Sequence, residues 1–178
     1  MSPWWLAVAA VLLSLERICY VWVWRFPQSF QRFCEGPVVA AWGEPVEVLQ
    51  RLFYCFKVIQ LAVFFGWCCL LQPGSIPPLA AHISSLVPGV GLIVAGQTLN
   101  FGVFYRLGTV GVFYGNRFGY ELPWCEKFPF SLLKHPQYAG ALLSIWGFFL
   151  AMRFPHPDWY LLPALETLYY TLGAYLEQ

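Results

Sequence analysis

The chain is a succession of long apolar runs separated by polar connectors. A membrane-spanning helix needs about 20 predominantly apolar residues. The first three runs reach that length and predict full spans, whereas the last two are shorter and predict either two tilted spans or one helical hairpin. We therefore predict an all-α integral membrane protein, a single domain over 1–178 built as a bundle of four to five transmembrane helices. The predicted membrane-embedded helices are 4–24, 52–71, 86–105, 138–152 and 159–176.

Charged residues interrupt two of these runs. Glu16 and Arg17 lie in the middle of the first run. Adjacent residues on a helix point about 100° apart, so we do not expect these two to pair with each other. Either they face the bundle interior, where most intramembrane charges lie, or the helix is tilted or only partly embedded. Lys57 interrupts the second run near one end, where a lysine side chain can extend to the headgroups.

The distribution of lysine and arginine among the connectors predicts an orientation. The connectors 25–51 and 106–134 are basic, whereas 72–85 contains no lysine or arginine. Because cytosolic loops carry the excess of these residues, we expect the N-terminus outside and both basic connectors in the cytosol. If the last two runs form a hairpin, Glu177 returns to the side of the second basic connector. That connector then belongs to a cytosolic loop, 106–137.

The composition excludes several classes of protein. Hydrophobic residues make up 59% and charged residues 11% of the chain, and the mean hydropathy is +0.58, whereas soluble domains average about 25% charged residues. A formal net charge of +1 gives no electrostatic basis for binding nucleic acid. The six cysteines include no CxxC pair, so neither a disulfide framework nor a metal site is expected. The N-terminus lacks a basic region and a small-residue cleavage site, so the first run is expected to be retained.

The candidate chemistry begins in the stretch 107–119, between the third apolar run and the polar loop. Its sequence is LGTVGVFYGNRFG, in which four glycines are interleaved with aromatic residues. Glycines at this density suit a backbone that bends and approaches a ligand closely. Downstream, Phe-Pro-Phe at 128–130 precedes the step Lys-His-Pro-Gln-Tyr-Ala-Gly at 134–140. The His-Pro pair predicts a helix that starts at Pro136, and its free backbone amides suit an anion such as a carboxylate.

These motifs resemble the phospholipid methyltransferases. The pattern Leu-Gly-x-x-Gly-x-Phe-x-Gly-x-x-Phe-Gly, followed by Phe-Pro-Phe and His-Pro-x-Tyr-x-Gly, is similar to phosphatidylethanolamine N-methyltransferases. It is also similar to phosphatidyl-N-methylethanolamine N-methyltransferases, which are also called methylene-fatty-acyl-phospholipid synthases. The resemblance covers 87–178. Isoprenylcysteine carboxyl methyltransferases share the basic-His-Pro step, and membrane sterol reductases share it more loosely, so that step alone does not select the substrate.

The resemblance implies S-adenosylmethionine as methyl donor and two cofactor-binding positions. The family's Gly-x-Gly stretch falls, without gaps, on Val94, Ala95 and Gly96, of which only Gly96 matches. The family's acidic pair after the last span falls on Leu176 and Glu177, or on Glu177 and the residue after it. One acid of the pair is therefore kept.

Within that framework we predict roles for individual side chains. Glu177 is expected to contact the cationic or ribose part of the donor, and the ring of Tyr138 its cationic methyl group. His135, Arg117 and the first amides of the predicted helix are expected to hold the donor's carboxylate. The acceptor amine must be neutral, so a proton acceptor is also required. The loop 106–137 is therefore the predicted cytosolic active-site loop, and the candidate acceptors in it are Glu121 and Glu126.

The predicted function is that of a phospholipid N-methyltransferase acting on phosphatidylethanolamine or its mono- or dimethyl derivatives. The alternatives are an isoprenylcysteine-type carboxyl methyltransferase, a methyltransferase of acyl-chain double bonds, and a non-catalytic membrane protein that retains the fold. The expected partners are a membrane phospholipid and the bilayer, without nucleic acid. The membrane would be the endoplasmic reticulum in a eukaryote or the inner membrane in a bacterium, with the active site facing the cytosol. The sequence leaves the oligomeric state and the number of methyl groups open.

Overall fold

The computed structural model describes residues 3–72, 83–122 and 125–177. Within these residues the chain contains helices and no β-strand, which confirms the predicted all-α class. Most of the predicted connector 72–85 lies outside the described residues. Six α-helices are described, together with the 3₁₀ helices Ala40–Trp42 and Gly115–Phe118. The α-helices are α1 (Pro3–Arg25), α2 (Pro27–Cys34), α3 (Pro45–Leu71), α4 (Ile83–Val112), α5 (Pro136–Arg153) and α6 (Leu161–Leu176).

Three of the described segments are long and apolar enough to cross a membrane, namely Trp4–Arg25, Pro45–Leu71 and Ile83–Phe118. The helices α5 and α6 are shorter, with 18 and 16 residues, or about 27 and 24 Å of helix. They pack against each other, and Tyr138 at the start of α5 contacts Glu177 directly after α6. They therefore lie antiparallel, and whether they dip into the membrane as a hairpin or cross it as two tilted spans stays a prediction from the sequence.

Helical structure extends beyond the second apolar run. The helix α3 begins at Pro45, well before the predicted start at 52. Proline is favoured at the first helical position, and the backbone amide of Glu44 donates to the side chain of Glu47, 3.2 Å away, as in a capping box. These start signals lie in the polar connector, where an apolar pattern does not detect them. The same connector contains the short helix α2, which also starts at a proline.

The predicted active-site loop 106–137 begins as helix. The helix α4 continues to Val112, and its backbone breaks at Gly108, where φ is 61°. Glycine adopts this left-handed conformation without steric cost. The 3₁₀ helix Gly115–Phe118 follows. The glycine-rich stretch therefore bends the chain, as the sequence indicates, but the bend lies at the end of a helix rather than in an open loop.

The helices α4 and α5 form the most extensive helix pair of the described bundle. Small residues let two helix backbones approach closely in a membrane. Gly89 and Gly96 of α4 face Gly147 and Gly140 of α5, and a Cβ atom on Gly96 would lie 2.5 Å from Oγ of Ser144. Both α4 glycines therefore serve helix packing in this structure.

We expect Gly96→Ala to destabilise the bundle, because the added methyl group collides with the Gly140 carbonyl and the Ser144 hydroxyl. Overpacking of this kind costs about 1–3 kcal/mol. Gly91 is the matched control, since a Cβ atom there meets nothing within 4 Å among the described residues. Thermal unfolding in detergent should show a lower midpoint for Gly96→Ala and an unchanged or higher midpoint for Gly91→Ala. Equal midpoints for the two variants would contradict the close α4–α5 contact.

The two basic connectors meet at one end of the bundle. Phe30 of α2 is fully buried, and its ring stacks on Phe118 with the centroids 5.8 Å apart. Tyr120 donates a hydrogen bond to the side chain of Glu44, just before α3, and this bond raises the pKa of the Tyr120 hydroxyl above its usual value. These contacts place both connectors at the same end, as the charge distribution predicts.

Candidate active site

A cavity of about 410 Å³ lies in the centre of the bundle, within the range of roughly 300–1,000 Å³ that is typical of ligand pockets. The helices α1, α3, α4, α5 and α6 line it, and most of its wall is aromatic or aliphatic. Each of these helices also contributes polar side chains. Examples, one from each helix, are Glu16, Lys57, Gln97, Tyr138 and Tyr170.

A chain of hydrogen bonds joins the cavity to the end of α6. The hydroxyl of Tyr138, in the first turn of α5, donates to Oε2 of Glu177 at 2.5 Å. The hydroxyl of Tyr114 lies 3.3 Å from the hydroxyl of Tyr138. Tyr114 and Tyr138 both line the cavity. The predicted convergence of Glu177 with the 106–137 region is therefore observed, and it is made through two tyrosines.

Tyr114 has an unusual backbone conformation for a residue with a side chain. Its φ and ψ are 55° and 35°, and no other described non-glycine residue has a positive φ. This left-handed conformation is uncommon for an aromatic residue and persists where the surroundings enforce it. The ring is held edge-on by Tyr20 and Trp24, each with a centroid distance of 5.6 Å. The bend after α4 thus directs the Tyr114 hydroxyl into the cavity wall.

His135 lies directly before α5, as the His-Pro step predicts. Its ring is nearly parallel to that of Tyr138, with the centroids 5.9 Å apart. Its Nε2 atom is buried and has no hydrogen-bond partner among the described residues. An imidazole nitrogen in this state, beside the free amides of a helix start, suits an anionic ligand group.

Arg117 lies beside the cavity rather than in its wall. Its guanidinium group lies 3.6 Å from the ring centroid of Trp24, in cation–π contact. Its Nε atom is buried, again with no hydrogen-bond partner in the described part of the chain. Because Trp24 also packs on Tyr114, Arg117 belongs to the same end of the bundle as the tyrosine chain.

The predicted Gly-x-Gly position does not join this group. Val94 is 59% exposed and Ala95 is also exposed, both on the outer face of α4. Gly96 is buried, but against α5. None of the three lines the cavity. A cofactor-binding role for these three residues stays a prediction from the sequence.

Of the predicted acidic positions, Glu177 alone among the described residues reaches the tyrosine chain. Leu176 beside it is exposed, and Gln178 lies outside the described residues. Glu121 and Glu126, the candidate proton acceptors, are both exposed and do not line the cavity. Their role stays a prediction from the sequence.

A second polar cluster in the cavity wall joins α1, α3 and α6. One oxygen of Glu16 lies 2.6 Å from Nη2 of Arg17 and 3.0 Å from Nζ of Lys57. Lys57 also donates to the side-chain oxygen of Gln60 at 3.0 Å. Gln60 in turn donates to the carboxylate of Glu166 at 2.6 Å. Glu16, Arg17 and Glu166 are buried, so this cluster lies inside the bundle.

Two predictions from the sequence are wrong at this cluster. Glu16 and Arg17 do pair with each other, because the long arginine side chain reaches the adjacent carboxylate. Lys57 does not extend to the headgroups, because α3 starts at Pro45 and so places Lys57 in the middle of the helix, where it bonds Glu16. The interior position of the α1 charges, one of the predicted alternatives, is confirmed. In the sequence, the spacing of Lys57 and Gln60, three residues apart, already indicates that both side chains lie on one helix face.

Comparison with known proteins agrees with the motifs. Residues 84–178 match the family described as phospholipid methyltransferase. The chain is 34% identical over 138 residues to a phosphatidyl-N-methylethanolamine N-methyltransferase of Arabidopsis thaliana, covering 78% of this chain and 74% of that protein. It is 29% identical over 153 residues to a phosphatidylethanolamine N-methyltransferase of Rattus norvegicus, covering 79% and 76% respectively. No solved structure matches the chain at a significant level.

Proposed function

The chain belongs to the phospholipid methyltransferase family, and from this premise we propose that it transfers methyl groups from S-adenosylmethionine to the amine of phosphatidylethanolamine or its mono- or dimethylated derivatives. The observation that carries the proposal is the central cavity. It lies inside a bundle with membrane-spanning helices, and Tyr138, which lines it, contacts His135 and Glu177. The family resemblance implies Glu177 as a contact of the methyl donor, and the sequence predicts the same role for His135 and Tyr138.

The end of the cavity at Tyr138, here called the polar end, fits such a donor. S-adenosylmethionine supplies a methyl group on a positively charged sulfur atom. The Glu177 carboxylate attracts a cation or bonds a ribose hydroxyl, and Tyr138 offers an aromatic face to the cationic methyl group. The Nε2 atom of His135, which has no partner among the described residues, and the first amides of α5 suit a carboxylate. Arg117 adds a further cation at this end of the bundle.

The acceptor amine has to lose its proton before its nitrogen can attack the methyl group. The tyrosine chain offers a route for that proton. The Tyr114 oxygen accepts it from the ammonium group, Tyr114 passes its own proton to Tyr138, and Tyr138 passes its own to Glu177. Both tyrosines end as neutral hydroxyls, and the proton rests on the carboxylate after α6. Glu121 and Glu126 remain the sequence-based candidates for the same role, acting from outside the cavity.

The rest of the cavity wall supports methyl transfer by excluding water. A displacement at a cationic methyl group depends on positioning, and water in the site would compete. Phe53, Phe64, Phe104 and Phe148 form much of the apolar wall. We place the polar end in the cytosol, where the basic connectors are expected. The membrane is then the endoplasmic reticulum in a eukaryote or the inner membrane in a bacterium.

Headgroup labelling tests the proposed function. The purified protein in vesicles containing dioleoyl phosphatidylethanolamine, supplied with methyl-labelled S-adenosylmethionine, should place the label in the extracted phospholipid headgroup. Label in an added farnesyl-cysteine acceptor instead would identify a carboxyl methyltransferase, and label in the acyl chains would identify a carbon methyltransferase. If the protein does not bind S-adenosylmethionine, every enzymatic version of the proposal is wrong.

A further inference from the structure

The proposed reaction makes no use of the charges in the second polar cluster. Charged groups inside a membrane-embedded bundle are costly and by default point to a function. Here two cations, Arg17 and Lys57, both lie against one carboxylate, that of Glu16. The other carboxylate of the cluster, on Glu166, accepts its hydrogen bond from Gln60. The cluster therefore holds two cations and two carboxylates, and of these carboxylates only that of Glu16 contacts the cations directly.

Lys57 is the more exposed member of this ion pair, and both members line the cavity. The side chain of Lys57 is 28% exposed, whereas that of Glu16 is 6% exposed. An ammonium group carries three donors. Within the described residues, hydrogen bonds from Lys57 go to Glu16 and Gln60 at 3.0 Å each. The positive charge of Lys57 therefore lies in the wall of the cavity, next to whatever occupies it.

The side of the cavity nearest to Lys57 opens towards lipid. The helices α3 and α4 make few contacts with each other, and residues of both helices line the cavity between them. Leu61 of α3 and Phe101 of α4 are lining residues that are nevertheless 51% and 71% exposed. Exposed apolar side chains on membrane-spanning helices face acyl chains. A molecule that enters between these two residues comes from the bilayer.

We propose that Lys57, held in place by Glu16 and Gln60, binds the phosphodiester of the phospholipid that enters between α3 and α4. Lysine binds phosphate as a compact point charge, and the phosphodiester is the anionic group that every phospholipid headgroup carries. Bound there, the headgroup lies in the same cavity as the Tyr114 hydroxyl, where its amine can be deprotonated. The inference rests on the proposed function for the identity of the lipid. The alternative anion in this cavity is the carboxylate of the methyl donor.

The test compares Lys57→Gln with Lys57→Arg in vesicles of stated lipid composition. If Lys57 binds the phosphodiester, Lys57→Gln should raise the apparent KM for dioleoyl phosphatidylethanolamine by about 10- to 100-fold, the range for losing one hydrogen bond to a charged group. The KM for S-adenosylmethionine should change less than twofold, and Lys57→Arg should restore most of the lipid affinity. A rise in the KM for S-adenosylmethionine instead would assign Lys57 to the donor's carboxylate and overturn the proposal.

A binding measurement separates this inference from the proposed reaction. Native mass spectrometry of the purified protein should show that it retains dioleoyl phosphatidylethanolamine in preference to dioleoylglycerol, and Lys57→Gln should abolish that preference. An unchanged preference overturns the phosphate site even if the wild type methylates lipid. A lost preference supports the site even if no methylation is found. The double variant Glu16→Gln/Lys57→Gln, in which the charged pair is replaced by two amides, should also lack the preference, which excludes a mere effect of the Glu16 charge left without Lys57.

Discussion

Glu177→Gln should lower kcat/KM for S-adenosylmethionine by about 100-fold, which is the lower end of the loss expected when a positioned acid–base group is removed. The change keeps the size of the side chain but removes the charge that receives the Tyr138 hydrogen bond. In the proposed site this charge both faces the methyl donor and takes up the proton of the amine. The variant should still fold, because Glu177 follows α6 and is only half-buried. Initial rates of headgroup labelling at varied donor concentration measure the effect.

Glu121→Gln and Glu126→Gln are the matched controls, since they make the same chemical change at exposed positions. Each should retain at least about half of the wild-type kcat/KM, because surface substitutions seldom have large effects. The opposite pattern, with activity lost in a control and kept in Glu177→Gln, would place the proton acceptor in the loop. The proposed route through Tyr138 would then be wrong.

Glu16→Gln is expected to cost about 3–5 kcal/mol of unfolding free energy, the range for removing one partner of a buried ion pair. The substitution leaves Arg17 and Lys57 against a neutral amide, with no carboxylate in contact with either among the described residues. Arg17 also lies over the ring of Tyr170, 4.1 Å from its centroid, so the contact between α1 and α6 should loosen. Denaturant unfolding in detergent micelles, followed by tryptophan fluorescence, measures the change.

Two further variants sharpen that measurement. Glu35→Gln removes a carboxylate that is exposed at the end of α2 and should change the free energy of unfolding by less than about 0.5 kcal/mol. Adding Lys57→Gln to Glu16→Gln should recover part of the loss, because it removes one of the two uncompensated cations. If Glu16→Gln unfolds at the same denaturant concentration as Glu35→Gln, the cluster does not hold α1 in the bundle.

The sequence predicts those features of this protein that depend on local pattern. The first three apolar runs are sufficient to identify the three described helices that are long and apolar enough to cross a membrane, and the His-Pro step is sufficient to start α5 at Pro136. The count of cations per connector, together with the two short final runs, brings Glu177 next to the 106–137 region, where it contacts Tyr138. None of these inferences requires knowledge of which helix faces touch.

Features that depend on tertiary packing are not accessible in the same way. That Gly96 packs against Gly140 depends on the register of α4 against α5. The partner of the Lys57 ammonium group depends on where α3 begins and on which residues of α1 it meets. The left-handed backbone of Tyr114 contradicts the local preference of an aromatic residue, because surrounding rings enforce it. A single sequence contains no direct signal for contacts between different helices.

The proposed entry between α3 and α4 also determines how the substrate reaches this enzyme. A phospholipid that enters between α3 and α4 keeps its acyl chains in the bilayer throughout the reaction. The relevant substrate concentration is therefore the number of lipids per area of membrane, and the lipid reaches the enzyme by lateral diffusion. Turnover should then follow the mole fraction of acceptor lipid in the membrane, whatever the bulk amount of vesicles. The methylated product leaves into the same membrane and carries the same phosphodiester, so it competes for the entry between α3 and α4 as it accumulates. The methylated lipid that accumulates in the membrane should therefore inhibit further methylation.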